Sequence, residues 1–297
     1  MRAAPLRRID VGEVSLAVAE QGAGELVVLL HGFPERAHTW RHQLRAIADA
    51  GFHAAAPDMR GFGDSDQPPG VPAYALERLV DDVAGLIGAL GAERAHVVGH
   101  DWGGVVAWAV AALRPDRVST LTVMNAPHLT ALHEELQAPA GGEQRMMAWY
   151  MLLYQFEGVA EELCARDDFT FLRARLARAP AGSFHDDDIE HFLAPMRNPG
   201  ALTAGLNYYR ALVPPSAWLE PPRALPPVTA ATLVIWGLAD AALHRRTLER
   251  SLAAAAGPLH VERLEGIGHY VQNEVPDLVN RHLLTFLRMH RGSAPRS

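Results

Sequence analysis

The chain has 297 residues, 49% of them apolar and 21% charged, enough to bury a large core in one large domain or two. A net charge of -7 argues against a nucleic-acid partner, and the single cysteine, Cys164, excludes an internal disulfide and a thiolate metal cluster. No window approaches the roughly 18 to 20 uncharged apolar residues of a membrane span, and Met1-Arg2-Ala3-Ala4-Pro5 lacks the apolar centre of a secretory leader, so the cytoplasm is the expected compartment.

Short apolar runs alternate with helical patterns, as in a mostly parallel sheet covered on both faces. Val14–Ala19 and Leu26–Leu30 open the sheet; His53–Pro57, His96–Gly99 and Val118–Asn125 continue it. Helices are expected between them, from about Thr39 to Ala50, Ala73 to Leu90 and Trp102 to Leu113. After Asn125 the rhythm changes, and from about His128 to Arg223 there are helical stretches and loops without a strand. Residues 128–225 are therefore read as a helical insertion that divides a sheet domain into 1–127 and 226–297. Proline pairs at 214–215, 221–222 and 226–227 mark the return, after which Thr232–Trp236 and His260–Leu264 resume strands, each followed by a helix.

The densest signal is Gly99-His100-Asp101-Trp102-Gly103-Gly104, between the buried strand ending at Gly99 and the apolar helix Val105–Leu113. A strand that turns abruptly into a helix needs small residues two positions either side of its apex, and Gly99 and Gly103 stand there. The apex side chain, Asp101, then projects above the carboxyl edge of the sheet at a helix N-terminus, which favours its ionised form. A carboxylate so placed is a modest nucleophile, suited to a strained or activated sp3 carbon.

Two further polar residues lie just past strands, Asp240 after Thr232–Trp236 and His269 after His260–Leu264. Nucleophile, acid, histidine is the chain order of the α/β-hydrolase fold. His269 suits a base that deprotonates water, with Asp240 orienting its ring and stabilising the imidazolium. The chain has 15 histidines. His133, His191, His244 and His282 fall within helical patterns and are read as surface or packing residues.

Over nearly its whole length the chain resembles α/β-hydrolases of the epoxide hydrolase branch. The resemblance is carried by His31-Gly32-Phe33-Pro34, Trp40-Arg41-His42-Gln43, Asp58-Met59-Arg60-Gly61-Phe62-Gly63-Asp64-Ser65, Gly99–Gly104, Trp236-Gly237 and Gly268-His269. It implies a mostly parallel α/β sheet with an inserted helical cap, and an oxyanion hole formed by the backbone N–H groups of Phe33 and Trp102. It also implies two cap tyrosines that hydrogen-bond the epoxide oxygen. Tyr150, in Trp149-Tyr150-Met151-Leu152-Leu153-Tyr154, and Tyr209, in Asn207-Tyr208-Tyr209-Arg210, take those positions, while Tyr154 and Tyr208 are assigned to packing. Asp58, Arg60, Asp64 and Ser65 are read as a structural turn held by hydrogen bonds and an ion pair.

On this reading a small apolar epoxide and water are the reactants, no metal or organic cofactor is needed, and a homo-oligomer is left open. The alternative is a haloalkane dehalogenase, for which Trp102 supplies one halide-binding indole and Trp149 is a candidate for a second. Against it, position 33 is Phe, where that branch has Asn or Glu. Fluoroacetate dehalogenases share His-Gly-Phe-Pro but follow the nucleophile with Arg, where this chain has Trp102. A third alternative is a ligand-binding protein on a dead hydrolase scaffold, disfavoured by the intact set Asp101, Asp240 and His269. Two departures from the epoxide hydrolase pattern, Tyr270 for a frequent Trp and Leu238 for a frequent Glu, remove no catalytic group.

Overall fold

The computed structural model describes residues 6–292. Its centre is one sheet of eight strands: β1 (Leu6–Asp10), β2 (Ser15–Gly22), β3 (Leu26–Leu30), β4 (His53–Pro57), β5 (Ala95–His100), β6 (Val118–Met124), β7 (Ala231–Gly237) and β8 (Leu259–Leu264). The spatial order is β1-β2-β4-β3-β5-β6-β7-β8, antiparallel at β1-β2 and β2-β4 and parallel elsewhere. β1 has no counterpart among the strands expected from the sequence. Four of its five residues are exposed, so it has no apolar alternation to read; its pairing with β2 and the Arg7–Glu20 ion pair hold it at the sheet edge.

Every residue of β3 is buried, yet its side chains still alternate between two cores. Val28 and Leu30 face one, with α2 (Leu76–Ala89) and α3 (Trp102–Leu113); Val27 and Leu29 face the other, with α1 (Arg41–Asp49) and α12 (Pro276–Met289). A short 3-10 turn, Ala37–Trp40, precedes α1, and another, Val71–Tyr74, precedes α2, so both helices start later than their apolar pattern suggests. α3 is buried from Trp102 to Ala112, which explains a sequence apolar on all sides.

Between β6 and β7 the chain forms α4 (Leu129–Gln137), α5 (Gly142–Met147), α6 (Trp149–Leu153), α7 (Val159–Leu176), α8 (Asp186–Leu193) and α9 (Ala201–Leu212). α7 is broken at Arg166–Phe169, where Asp167, Asp168 and Phe169 take positive φ, so it consists of two helical pieces. α10 (Arg245–Leu252) follows β7, and α11 (Val271–Glu274) follows β8. The helical segment is tied to the sheet domain by Arg41–Asp188 at 3.2 Å, Arg246–Glu135 at 2.8 Å and the Tyr208 hydroxyl, which donates to the Arg60 carbonyl at 2.8 Å. Among the described residues no helix is long and apolar enough to cross a membrane.

The Asp58–Ser65 segment has the character of a structural turn. Asp58 pairs with Arg36 at 2.6 Å and accepts from the Ala37 and Asp64 N–H groups, while Arg60 grips Asp82 at 2.6 and 2.7 Å.

Candidate active site

At the C-terminal end of β5 the chain reverses through Asp101, at φ 49° and ψ -124°, and enters α3. The turn is so tight that a Cβ on Gly99 would lie 2.3 Å from the Gly103 carbonyl oxygen, and one on Gly103 would lie 2.2 Å from that of Leu30. Gly32 is equally constrained, since its Cβ would be 2.4 Å from the Asp101 Cβ. These contacts bring the loop after β3 against the apex. The Phe33 N–H there donates to Asp101 Oδ1 at 2.9 Å. Trp102 opens α3 directly after Asp101, so its N–H is among the first-turn donors that have no partner within the helix.

The second carboxylate oxygen, Asp101 Oδ2, lies 3.5 Å from His269 Nε2. On the far side of that ring, Nδ1 is 2.7 Å from Asp240 Oδ2. The loops after β5, β7 and β8 thus bring Asp101, Asp240 and His269 into one line of contacts. Asp240 is fully engaged: Oδ1 accepts from the Ala242 and Leu243 N–H groups at 2.6 and 3.0 Å, and Oδ2 also accepts from Asn125 Nδ2 at 2.7 Å.

The charges follow from these partners. Burial pushes the Asp101 carboxyl up, but His269, His100 and the Phe33 N–H outweigh it and hold the group below its ordinary value. Asp240 is likewise held low against burial by His269, Ala242 and Asn125. Burial disfavours the charged His269, but the two carboxylates raise it to about 10. Asp101 is therefore an ionised nucleophile candidate, as its place in the sequence suggests, with His269 the largest of the partners that keep it so.

Three residues that shape this region are given no role by the sequence. His100, fully buried, stands 2.8 Å from Glu35 through Nδ1 and 2.9 Å from the His269 carbonyl oxygen through Nε2, so it fixes the backbone that carries the catalytic candidate. Glu35 is held in turn by Gln272 at 3.2 Å and by the Thr39 hydroxyl. Asn125 takes positive φ at the end of β6 and clasps Gly237 through both its N–H and its carbonyl, at 2.9 and 3.2 Å. His100 sits inside the Gly99–Gly104 motif, beside the apex, a position that could have marked it.

Above the carboxylate, α6 brings Tyr150 and α9 brings Tyr209 with ring centroids 5.9 Å apart. Tyr209 packs edge-on against Trp102 at 4.8 Å and Phe33 at 5.6 Å, directly over the two residues flanking Asp101. Both phenols are buried; burial raises Tyr150 to about 12 and Tyr209 well above its ordinary value, so both carry their protons at neutral pH. Tyr154 also joins this aromatic wall, 4.8 Å from Tyr209, with a buried hydroxyl that has no hydrogen-bond partner among the described residues. Trp149 is elsewhere: it is 53% exposed and packs on Phe171, too far outside to serve a halide. His133, His191, His244 and His282 all lie outside this set; His244 caps α10, accepting from the Arg246 N–H. Among the described residues no group of three or more His, Cys, Asp or Glu side chains is placed to hold a metal ion.

Residues 25–272 match the family described as alpha/beta hydrolase fold. The chain belongs to the α/β-hydrolase fold family. Its relatives place this hydrolase in the epoxide hydrolase branch. It is 32% identical to Epoxide hydrolase A of Mycobacterium tuberculosis over 313 aligned residues, covering 95% of this chain and 96% of that one. It is 35% identical to Epoxide hydrolase of Caballeronia sordidicola, with 94% and 92% covered. Among solved structures, Bacillus megaterium epoxide hydrolase in complex with an inhibitor superposes with a TM-score of 0.86 at 30% identity, covering 95% of this hydrolase and all of that chain.

Proposed function

We propose that this hydrolase converts an epoxide to a vicinal diol through a covalent ester on Asp101. What carries the reading is the state of the Asp101 carboxylate: buried and ionised, with one oxygen on the Phe33 N–H and the other beside His269, beneath two protonated phenols. Residues 128–225 then act as the cap that supplies those phenols and keeps bulk water from the carboxylate.

In the first step Asp101 Oδ2 attacks an epoxide carbon and the ring C–O bond breaks. Tyr150 and Tyr209 donate hydrogen bonds to the ring oxygen, and one of them gives up its proton, help worth roughly 100- to 10,000-fold. Esterification removes the Asp101 charge that helped to hold the proton on His269, so the imidazolium releases that proton and the phenol is restored.

Neutral His269, oriented by Asp240, then takes a proton from a water as it attacks Cγ of Asp101. The oxyanion forms at Oδ1, where the N–H groups of Phe33 and Trp102 stabilise it; losing one such donor costs about 3 kcal/mol. The Cγ–Oδ2 bond breaks, the departing alkoxide takes the second proton of the water, and the diol leaves.

The test is incubation with an aryl epoxide and, separately, a short bromoalkane, with diol and bromide quantified against Asp101→Ala. Diol without bromide, lost in the variant, is the expected result; bromide without diol would assign the site to dehalogenation. A single turnover in isotopically labelled water should leave the label in Asp101 and not in the diol.

A further inference from the structure

Arg175 lies on the second helical piece of α7, its guanidinium carbon 3.8 Å from the centroid of the Tyr150 ring. Together with His269, Tyr270 and Gly268 it lines a cavity of about 60 Å³, and Arg178, exposed one turn further along the chain, lines the same space. Among the described residues no carboxylate comes within 4.0 Å of the Arg175 guanidinium. The most buried arginines of this molecule are paired with acids, Arg36 with Asp58, Arg60 with Asp82 and Arg210 with Glu161, and the half-buried Arg94 and Arg145 donate to backbone carbonyls, whereas Arg175 has neither kind of partner among the described residues.

The acid nearest to hand on the cavity wall, Glu274, is committed elsewhere, accepting from the Gly268 and Tyr270 N–H groups at 2.7 and 3.0 Å. Its neighbours are phenols instead: Arg175 lies on the Tyr150 ring and shares the cavity wall with Tyr270. A guanidinium laid on a phenol ring gains a cation-π contact but keeps its N–H fork free, because it donates within its own plane. A partly buried cation whose fork meets no anion is costly unless a ligand brings one. The cavity it faces leads to His269.

We propose that Arg175 is a specificity-determining residue for an anionic substrate: the epoxide carries a carboxylate on, or next to, the oxirane. This rests on the reading of Asp101 as the epoxide-opening nucleophile, and it replaces the purely apolar epoxide that the sequence suggests. Arg175 stacks on the phenol assigned to the ring oxygen, so an anionic group and the oxirane of one small molecule reach the two side chains together. A carboxylate matches the guanidinium fork in two parallel hydrogen bonds. Arg178, at the outer part of the cavity, adds a second positive charge that draws such a molecule inward.

The test compares phenylglycidate with trans-β-methylstyrene oxide, one skeleton with a carboxylate or a methyl group, on the wild type, Arg175→Met and Arg175→Lys. The wild type should favour the glycidate, and the ratio of the two kcat/KM values should fall about 10- to 100-fold in Arg175→Met, whatever loss the two substrates share, and less in Arg175→Lys. An unchanged ratio, or a wild type without preference, would overturn the proposal and leave Arg175 as a support for Tyr150. Calorimetric titration with cinnamate and cinnamyl alcohol reads the same site without turnover. Preferential binding of cinnamate, lost in Arg175→Met while thermal unfolding stays cooperative, is expected; equal binding of the two would also overturn it. If neither epoxide is opened but the cinnamate preference is present and lost in the variant, the epoxide reading fails and the arginine site stands.

Discussion

The carboxylate of Asp240 has four partners within 3.0 Å, whereas the hydroxyl of Tyr154, buried in the facing helical layer, has none among the described residues. The contrast runs through the whole site. On the sheet side, strand ends and backbone N–H groups hold charged atoms at set distances, because a buried charge without such partners would be neutralised or expelled. On the helical side the groups are held by ring packing: Tyr150, Tyr154 and Tyr209 pack on one another, Tyr154 and Tyr209 also on Phe33, and Arg175 lies on Tyr150. Hydrogen bonds fix atoms to fractions of an ångström, and ring packing fixes shape. On the function proposed above, the sheet side carries out the reaction and the helical side chooses what undergoes it.

Substitutions on the two sides should separate accordingly. The largest effect is expected from His269→Gln, which should let the Asp101 ester form but slow its hydrolysis by about 1,000- to 10,000-fold; mass spectrometry of the quenched enzyme should find the adduct accumulated. A variant that turns over without accumulating adduct would break the division. Tyr150→Phe and Tyr209→Phe should each slow ring opening by about 10- to 100-fold, measured as single-turnover ester formation, with ester hydrolysis much less affected, and the double variant should lose more than either. A hydrolysis defect as large as the opening defect would place the phenols in both steps.

Asn125→Ala should cost about 1–3 kcal/mol in urea unfolding, since it strips bonds from Asp240 and from both sides of Gly237. Tyr154→Phe removes only an unpartnered hydroxyl and should be neutral or slightly stabilising by the same measurement.

The last comparison concerns pH. His269 is raised from 6.5 to about 10 in the folded chain, so the stability it contributes is complete below about pH 6.5 and is lost as pH rises through about 10. The melting temperature of the wild type should fall over that window more steeply than that of His269→Gln. Asp101 and Asp240 act in the opposite sense, since their depressed values add stability above the ordinary carboxylate range that is lost in acid. On the proposed mechanism Tyr150, at about 12, should keep the proton it donates in ring opening until well into the alkaline range.

Legibility from sequence followed the same division. The strands β3 to β8, α3 and the order Asp101, Asp240, His269 were readable because each rests on a local pattern: an apolar run, a Gly-x-x-x-Gly frame about the apex, or a polar residue just past a strand. β1 was not readable, because an exposed edge strand with Arg7 and Arg8 has no periodic signal. Tyr150 and Tyr209 came only through resemblance, since nothing in the spacing of Trp149–Tyr154 says which ring turns inward. Trp149 turned out exposed and Tyr154 fully buried, in adjacent turns of chain.

The sequence by itself determined the sheet, the strained apex at Asp101 and the order of the polar groups behind it, because glycine spacing and apolar periodicity act over a few residues. Only the tertiary structure decided the partners. Which carboxylates raise His269, that His100 and Glu35 hold its backbone, and that Arg175 lies on a phenol with no carboxylate within 4.0 Å among the described residues all depend on contacts between residues far apart in the chain. Burial and charge are properties of assembled surfaces, and no local pattern encodes them.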